Sequence, residues 1–273
     1  MKKAIIVDHL SYLNQLKNIS FTVQKGELVG IIGSTGSGGQ LILKHIAGLV
    51  KGSTGFVSVL DYDPYLKNND FLKKISYINN SKNDLSKELS PIEILENTKL
   101  IYGLSKREFN KNLDELARYI KNPQLLDSLI YKPEILLLDN SDYDLESVYS
   151  YINKNEYTAL VLSDKIDNLI NLTRRIIVID EGLVIFDGAL DEILNKFATE
   201  KILKIKLSSE VSLKFINEVA SVKKYNYPSL CVNVPRTTVH LVASELLQNL
   251  PIQSLEIEEL PVDEIVDNMK HDN

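Results

Sequence analysis

The sequence predicts an α/β chain in which a parallel-rich sheet is flanked by helices and followed by a small α+β module. Three observations carry this. Short β-branched apolar runs alternate with segments of helical period, the pattern of βαβ units. One such run, Glu27–Gly33 (ELVGIIG), leads straight into the glycine loop Gly33–Gln40 (GSTGSGGQ) and a helical stretch, QLILKHIAGLV. After about residue 200 the glycine loops stop. KILKIKL, VSLKFINEVA, SLCVNVP, VHLVASELLQNL and SLEIEEL then alternate strand and helix as a βαββαβ-like module.

The elements follow in order. ELVGIIG is a buried strand, and the loop helix ends near Gly48. Ser90-Pro91-Ile92-Glu93 opens a helix with a capping box and a first-turn proline, and Ser105 and Glu108 repeat the box before FNKNLDELARYI. Ile135–Asp139 (ILLLD) is a second buried strand ending in an aspartate. TALVLSD and RRIIVIDEG supply two more, and LVIFDG follows a tight turn at Glu181-Gly182.

Composition bounds the function. The chain has 273 residues, 44% of them hydrophobic, enough for a sizeable core in one large or two modest domains. A formal net charge of −6 argues against nucleic acid, whose phosphates need clustered Lys and Arg. There is no polybasic run for anionic lipid. The apolar run of MKKAIIVDHL stops at Asp8, too short for a secretion signal, and no segment reaches membrane-spanning length. A single cysteine, Cys231, suits a reducing cytosol and reads as a small hydrophobe. His9, His45, His240 and His271 have no metal-like spacing. The acidic run Leu255–Glu264 reads as a solvated strand–helix junction.

The glycine loop matches G-x-x-x-x-G-K-[ST] in its framing glycines, Gly33 and Gly38. In such a loop backbone amides cradle phosphates, a lysine reaches the outer phosphates and a hydroxyl ligates Mg²⁺. Here Gly39 takes the lysine's place and Gln40 the hydroxyl's; Ser34, Thr35, Gly36 and Ser37 complete the cradle.

Over about residues 1–195 the chain resembles the ATP-binding cassette (ABC) ATPases, the motor subunits of ABC transporters. The resemblance rests on YLNQLKNISFTVQKGELVGIIGSTGSG, GLVKGSTGFVSVLDYDP, ISYINN, KPEILLLDN and RRIIVIDEGLVIFDG, five ordered matches. It implies a P-loop cassette core with a shortened helical subdomain at 1–198 and an accessory α+β domain at 199–273. By the same resemblance Tyr12 is the aromatic on which adenine stacks, Asn80 aligns with the Q-loop glutamine, and Asp139 and Asn140 with the Walker B Asp-Glu. Asp164 aligns with the switch histidine, and Asp142 and Asp144 fall where the family has its D-loop. Nothing like the LSGGQ signature precedes Asp139, and the stretch before it is short.

These departures fall on the chemistry. Losing a charge-assisted hydrogen bond costs about 1.5–3 kcal/mol, and losing general-base help costs about 10²–10⁴-fold in rate. Asn140 cannot accept a proton, and phosphoryl transfer needs cations around the γ-phosphate. The expectation is a degenerate cassette that requires no cofactor, binds ATP weakly with little Mg²⁺ or binds phosphate, and does not hydrolyse ATP itself. The resemblance implies a membrane permease as partner, with an active cassette or a second copy beside it, at the inner face of the cell membrane. The alternatives are a divergent ATPase completed by a partner's groups, and a soluble regulatory or self-protection protein.

Overall fold

The computed structural model describes residues 2–79, 89–139, 150–152, 154 and 157–271. Contacts divide the chain into two units, residues 1–164 with 168–188, and residues 189–273 with 165–167. The division falls after Gly188, ahead of the 198/199 boundary read from the sequence, because the short helix at 190–196 packs with the second unit.

In the first unit a three-stranded antiparallel sheet is ordered β2 (Leu16–Gln24), β1 (Lys3–Tyr12), β4 (Thr54–Val59). A six-stranded sheet runs β5 (Ile75–Asn79), β6 (Ile135–Asp139), β7 (Thr158–Ser163), β3 (Leu28–Ile32), β8 (Arg175–Asp180), β9 (Leu183–Ala189). The first five are parallel neighbours. Buried on both faces, β6 and β7 read as unbroken apolar runs rather than alternating ones. The two-residue link from β8 to β9 makes that last pair a hairpin.

Gly182, in that link, has φ +77°, and a Cβ there would lie 2.2 Å from the Gln15 carbonyl oxygen. Its amide donates to the Ser37 carbonyl at 2.8 Å and its carbonyl accepts from Lys17 N at 2.8 Å. The hairpin turn thereby ties the glycine loop to β2, a role only glycine fills.

Helix α1 (Gly39–Ile46) follows the loop, and the four-residue helix α2 (Asn69–Leu72) precedes β5. Between β5 and β6 lie α3 (Pro91–Tyr102), α4 (Lys106–Leu116) and α5 (Pro123–Leu129). Both expected capping boxes form: Ser90 with Glu93, and Ser105 with Glu108. A single turn, α6 (Asp167–Ile170), follows β7.

The second unit holds α7 (Leu190–Lys196), then β10 (Glu200–Leu207), α8 (Leu213–Val219), β11 (Ser221–Asn226), β12 (Ser229–Pro235), α9 (Val239–Asn249), β13 (Ile252–Glu259) and α10 (Val262–His271). Its antiparallel sheet is ordered β11-β12-β10-β13, a split βαβ arrangement. Alternation along the strands sends Leu203, Ile205, Leu207, Leu230, Val232 and Val234 into one core with Ile216 and Leu246 of the helices.

One expectation needs correcting here. The junction between β13 and α10 is not wholly solvated: the Glu259 side chain is only 2% exposed. Arg236 pairs with both of its oxygens, and Lys201 Nζ lies 2.8 Å from Oε1. A buried carboxylate requires such partners.

Candidate nucleotide-type cavity

The parallel register places the glycine loop, the end of β6 and the end of β7 at one edge of the sheet, the carboxyl ends where α/β folds bind ligands. They enclose a cavity of about 360 Å³ lined by Gly33–Leu41, Gln15, Asp139, Leu162 and Asp164. Every sequence-predicted loop residue, Gly33, Ser34, Thr35, Gly36, Ser37, Gly38, Gly39 and Gln40, is part of this lining. Gly38 caps α1 with φ +112°, and first-turn amides of a helix have no intrahelical acceptor, so the backbone presents donors to the cavity.

The side chains oppose that cradle. Asp139 and Asp164 line the cavity and, among the described residues, no Lys or Arg does. Asp139 is 2% exposed. Its Oδ2 accepts from Gln40 Nε2 at 2.9 Å and from the Tyr77 hydroxyl at 2.5 Å, while Oδ1 is buried without a partner. Lys44 Nζ donates to Gln40 Oε1 at 3.3 Å, fixing the amide's outer end. Burial first, and then the Asp139 carboxylate, push the Tyr77 phenol well above its usual range, so it stays a donor.

A Cβ on Gly39 would fall 2.6 Å from Leu162 Cδ1. A lysine stem there requires the tip of that leucine, from β7, to shift. Leu162 and Tyr77 were not singled out in the sequence. The alternation of β5 and its pairing of Asn79 with Asp139 put Tyr77 and Asn79 on the face that Asp139 occupies, and Ile31↔Leu162 pairing puts Leu162 beside the loop.

Tyr12 is absent from the cavity lining; its ring stands edge-on to His45 at 5.1 Å and 71°. Gln15 lines the cavity instead. Asn80, Asn140, Asp142 and Asp144 lie outside the described residues. His45 is buried on α1, its Nδ1 bonded to the Leu41 carbonyl at 2.7 Å. Burial lowers its pKa, opposed by the carbonyls of Leu41 and Lys51. The folded state then binds fewer protons than the unfolded one, so stability present above about pH 6.5 is lost as pH falls below it. Between pH 7.5 and 5.5 the urea midpoint is expected to fall further in the wild type than in His45→Leu.

A second concavity of about 600 Å³ lies at Ala47, Leu49, Leu72, Ile75, Tyr77, Ile101 and Tyr102. Ile101 is 75% exposed and Leu49 53%. Tyr77 belongs to its wall and also donates to Asp139.

A parallel sheet whose first loop–helix unit wraps a phosphate cradle, with an aspartate at the end of an adjacent strand, defines a P-loop nucleoside-triphosphatase type of fold. The sequence model of the family described as "ABC transporter" matches residues 16–142. The ABC transporter ATP-binding protein NatA of Bacillus subtilis is 24% identical, across 75% of this chain and 94% of NatA. The energy-coupling factor transporter ATP-binding protein EcfA2 of Mycoplasmopsis pulmonis is 26% identical, across 79% of this chain and 89% of its own. A solved ATP-binding subunit of an ABC transporter superposes with a TM-score of 0.63 at 21% identity, over 71% of this chain and 93% of that one. Over residues 16–142 the chain matches the ABC transporter family, and along most of its length it is similar to ATP-binding subunits of ABC transporters.

The family implies Mg²⁺ and a nucleoside triphosphate. The residues present do not fit that pair. An amide is bonded to the aspartate that would organise the metal, a side chain at residue 39 would meet the tip of Leu162, and among the described residues the lining carries two carboxylates and no Lys or Arg.

Proposed function

We propose that this chain is a non-hydrolysing cassette subunit, a scaffold or regulator bound to a membrane permease beside an active cassette. The observation that carries the reading is the charge of the cavity: Asp139 and Asp164 face a cradle built for polyanions, and among the described residues no Lys or Arg lines it, the nearby Lys44 being bonded to the Gln40 side-chain carbonyl. A triphosphate entering there meets repulsion in place of the lysine and metal that normally neutralise it. Weak binding of phosphate, or of ATP without Mg²⁺, is the most the amides support.

The permease partner is supported by the concavity around Leu49, Leu72 and Ile101, rimmed by Asn69 and Lys73, which suits an amphipathic short helix. Among the described residues no helix is long and apolar enough to cross a membrane. Affinity capture of the tagged chain from native membranes tests this. A polytopic subunit is expected to accompany it, and Ile101→Glu with Leu72→Glu is expected to release it. Recovery of the wild-type chain without any polytopic protein contradicts the reading.

A second reading, a divergent ATPase completed by a partner's groups, is favoured by one observation. Asp139 Oδ1 is buried and unpartnered on the cavity, as a carboxylate awaiting a cation would be.

A further inference from the structure

The misfit around Asp139 has a definite form. Three side chains from separate places in the chain, Tyr77 of β5, Gln40 of the first turn of α1 and Lys44 one turn later, build a continuous run of hydrogen bonds ending on one carboxylate oxygen. The carboxylate belongs to a strand buried on both faces, so it cannot swing away to find other partners. Buried without donors it would be costly; with two it is partly satisfied and needs no ion on Oδ2. Gln40 reaches across from the loop helix because its side chain is two carbons longer than the hydroxyl it replaces. The Lys44 ammonium holds the amide carbonyl, so that the NH₂ group faces Asp139.

We infer that Gln40, supported by Lys44 and Tyr77, is an intramolecular substitute for a divalent cation, which masks a metal site on Asp139 rather than abolishing it. The inference rests on the silent-cassette reading above, and explains how the silence is maintained. Shortening Gln40 removes the donor and its bulk together, and leaves Asp139, a residue of the cavity lining, with the Tyr77 hydroxyl on Oδ2 and no partner on Oδ1. The loop amides remain to hold an accompanying phosphate group.

The test is Mn²⁺ binding to the full-length chain with inorganic pyrophosphate, followed by loss of the free Mn²⁺ electron paramagnetic resonance signal. The wild type is expected to show no saturable site. Gln40→Ser is expected to acquire one, with apparent affinity raised at least about tenfold over any residual wild-type binding, the factor that one charge-assisted bond represents. Adding Asp139→Asn is expected to remove it, and adding Tyr77→Phe to tighten it. Gln40→Thr serves beside Gln40→Ser, with thermal unfolding of each, so that a folding defect in one leaves the test intact. A folded Gln40 variant that gains no site overturns the inference. So does a wild type that binds Mn²⁺ as tightly as the variants, since Gln40 would then itself be a ligand. Failure of the silent-cassette reading would show elsewhere, as ATP turnover by the unmodified chain.

Discussion

Gly39→Lys combined with Leu162→Ala is expected to raise the affinity for a nucleoside triphosphate by about 10- to 100-fold, the range of one charge-assisted hydrogen bond. Gly39→Lys alone is expected to gain much less. The reason is steric: any Cβ at residue 39 meets Leu162 Cδ1 at 2.6 Å, so the new stem must displace a side chain that is otherwise 7% exposed. Leu162→Ala alone opens space without adding charge and should leave affinity nearly unchanged. Isothermal titration of the four proteins, wild type included, separates these terms. Equal gains with and without Leu162→Ala would mean that the leucine yields freely. No gain in any variant would place the fault in the loop backbone.

Arg236→Ala is expected to destabilise the second unit by about 3 kcal/mol, the low end for removing one partner of a buried ion pair. Arg236 also donates through Nε to the Ala198 carbonyl at 2.8 Å, so its loss unties the entry to β10 as well. Lys201 remains on Glu259 and limits the damage. The readout is amide hydrogen exchange in β10 and β13, where protection should fall about 100-fold. On a Glu259→Leu background the same substitution should cost distinctly less, because no buried charge is left unpaired. Equal losses on both backgrounds would show that Arg236 acts only through the Ala198 carbonyl.

The cassette core was legible because its signals are local. A buried run ending in a glycine loop, two capping boxes and ILLLD each declare an element within a few residues. The loop and Asp139 were legible as a site for the same reason. Tyr77 and Leu162 were not, since each looks like any strand residue until neighbouring strands set its face. Thirteen tyrosines in the chain give no means of choosing one.

Tyr12, whose place in the sequence suits adenine stacking, stands edge-on to His45 and outside the cavity lining, a placement no local pattern announces. In the second unit, β11 carries Lys223 and Lys224 on an edge strand and lacks an apolar alternation. Charges on an edge deter mispairing and also hide the strand from pattern reading. Glu259 was misread as solvated because its partners, Arg236 and Lys201, lie far away along the chain.

On the proposed reading the cavity does not drive phosphoryl transfer, and phosphate release by the purified chain alone measures that directly. With saturating Mg²⁺ and ATP, the wild type should release phosphate no faster than Asp139→Ala, both at the rate of the buffer. Mg²⁺-dependent turnover by the wild type that disappears in Asp139→Ala would contradict it.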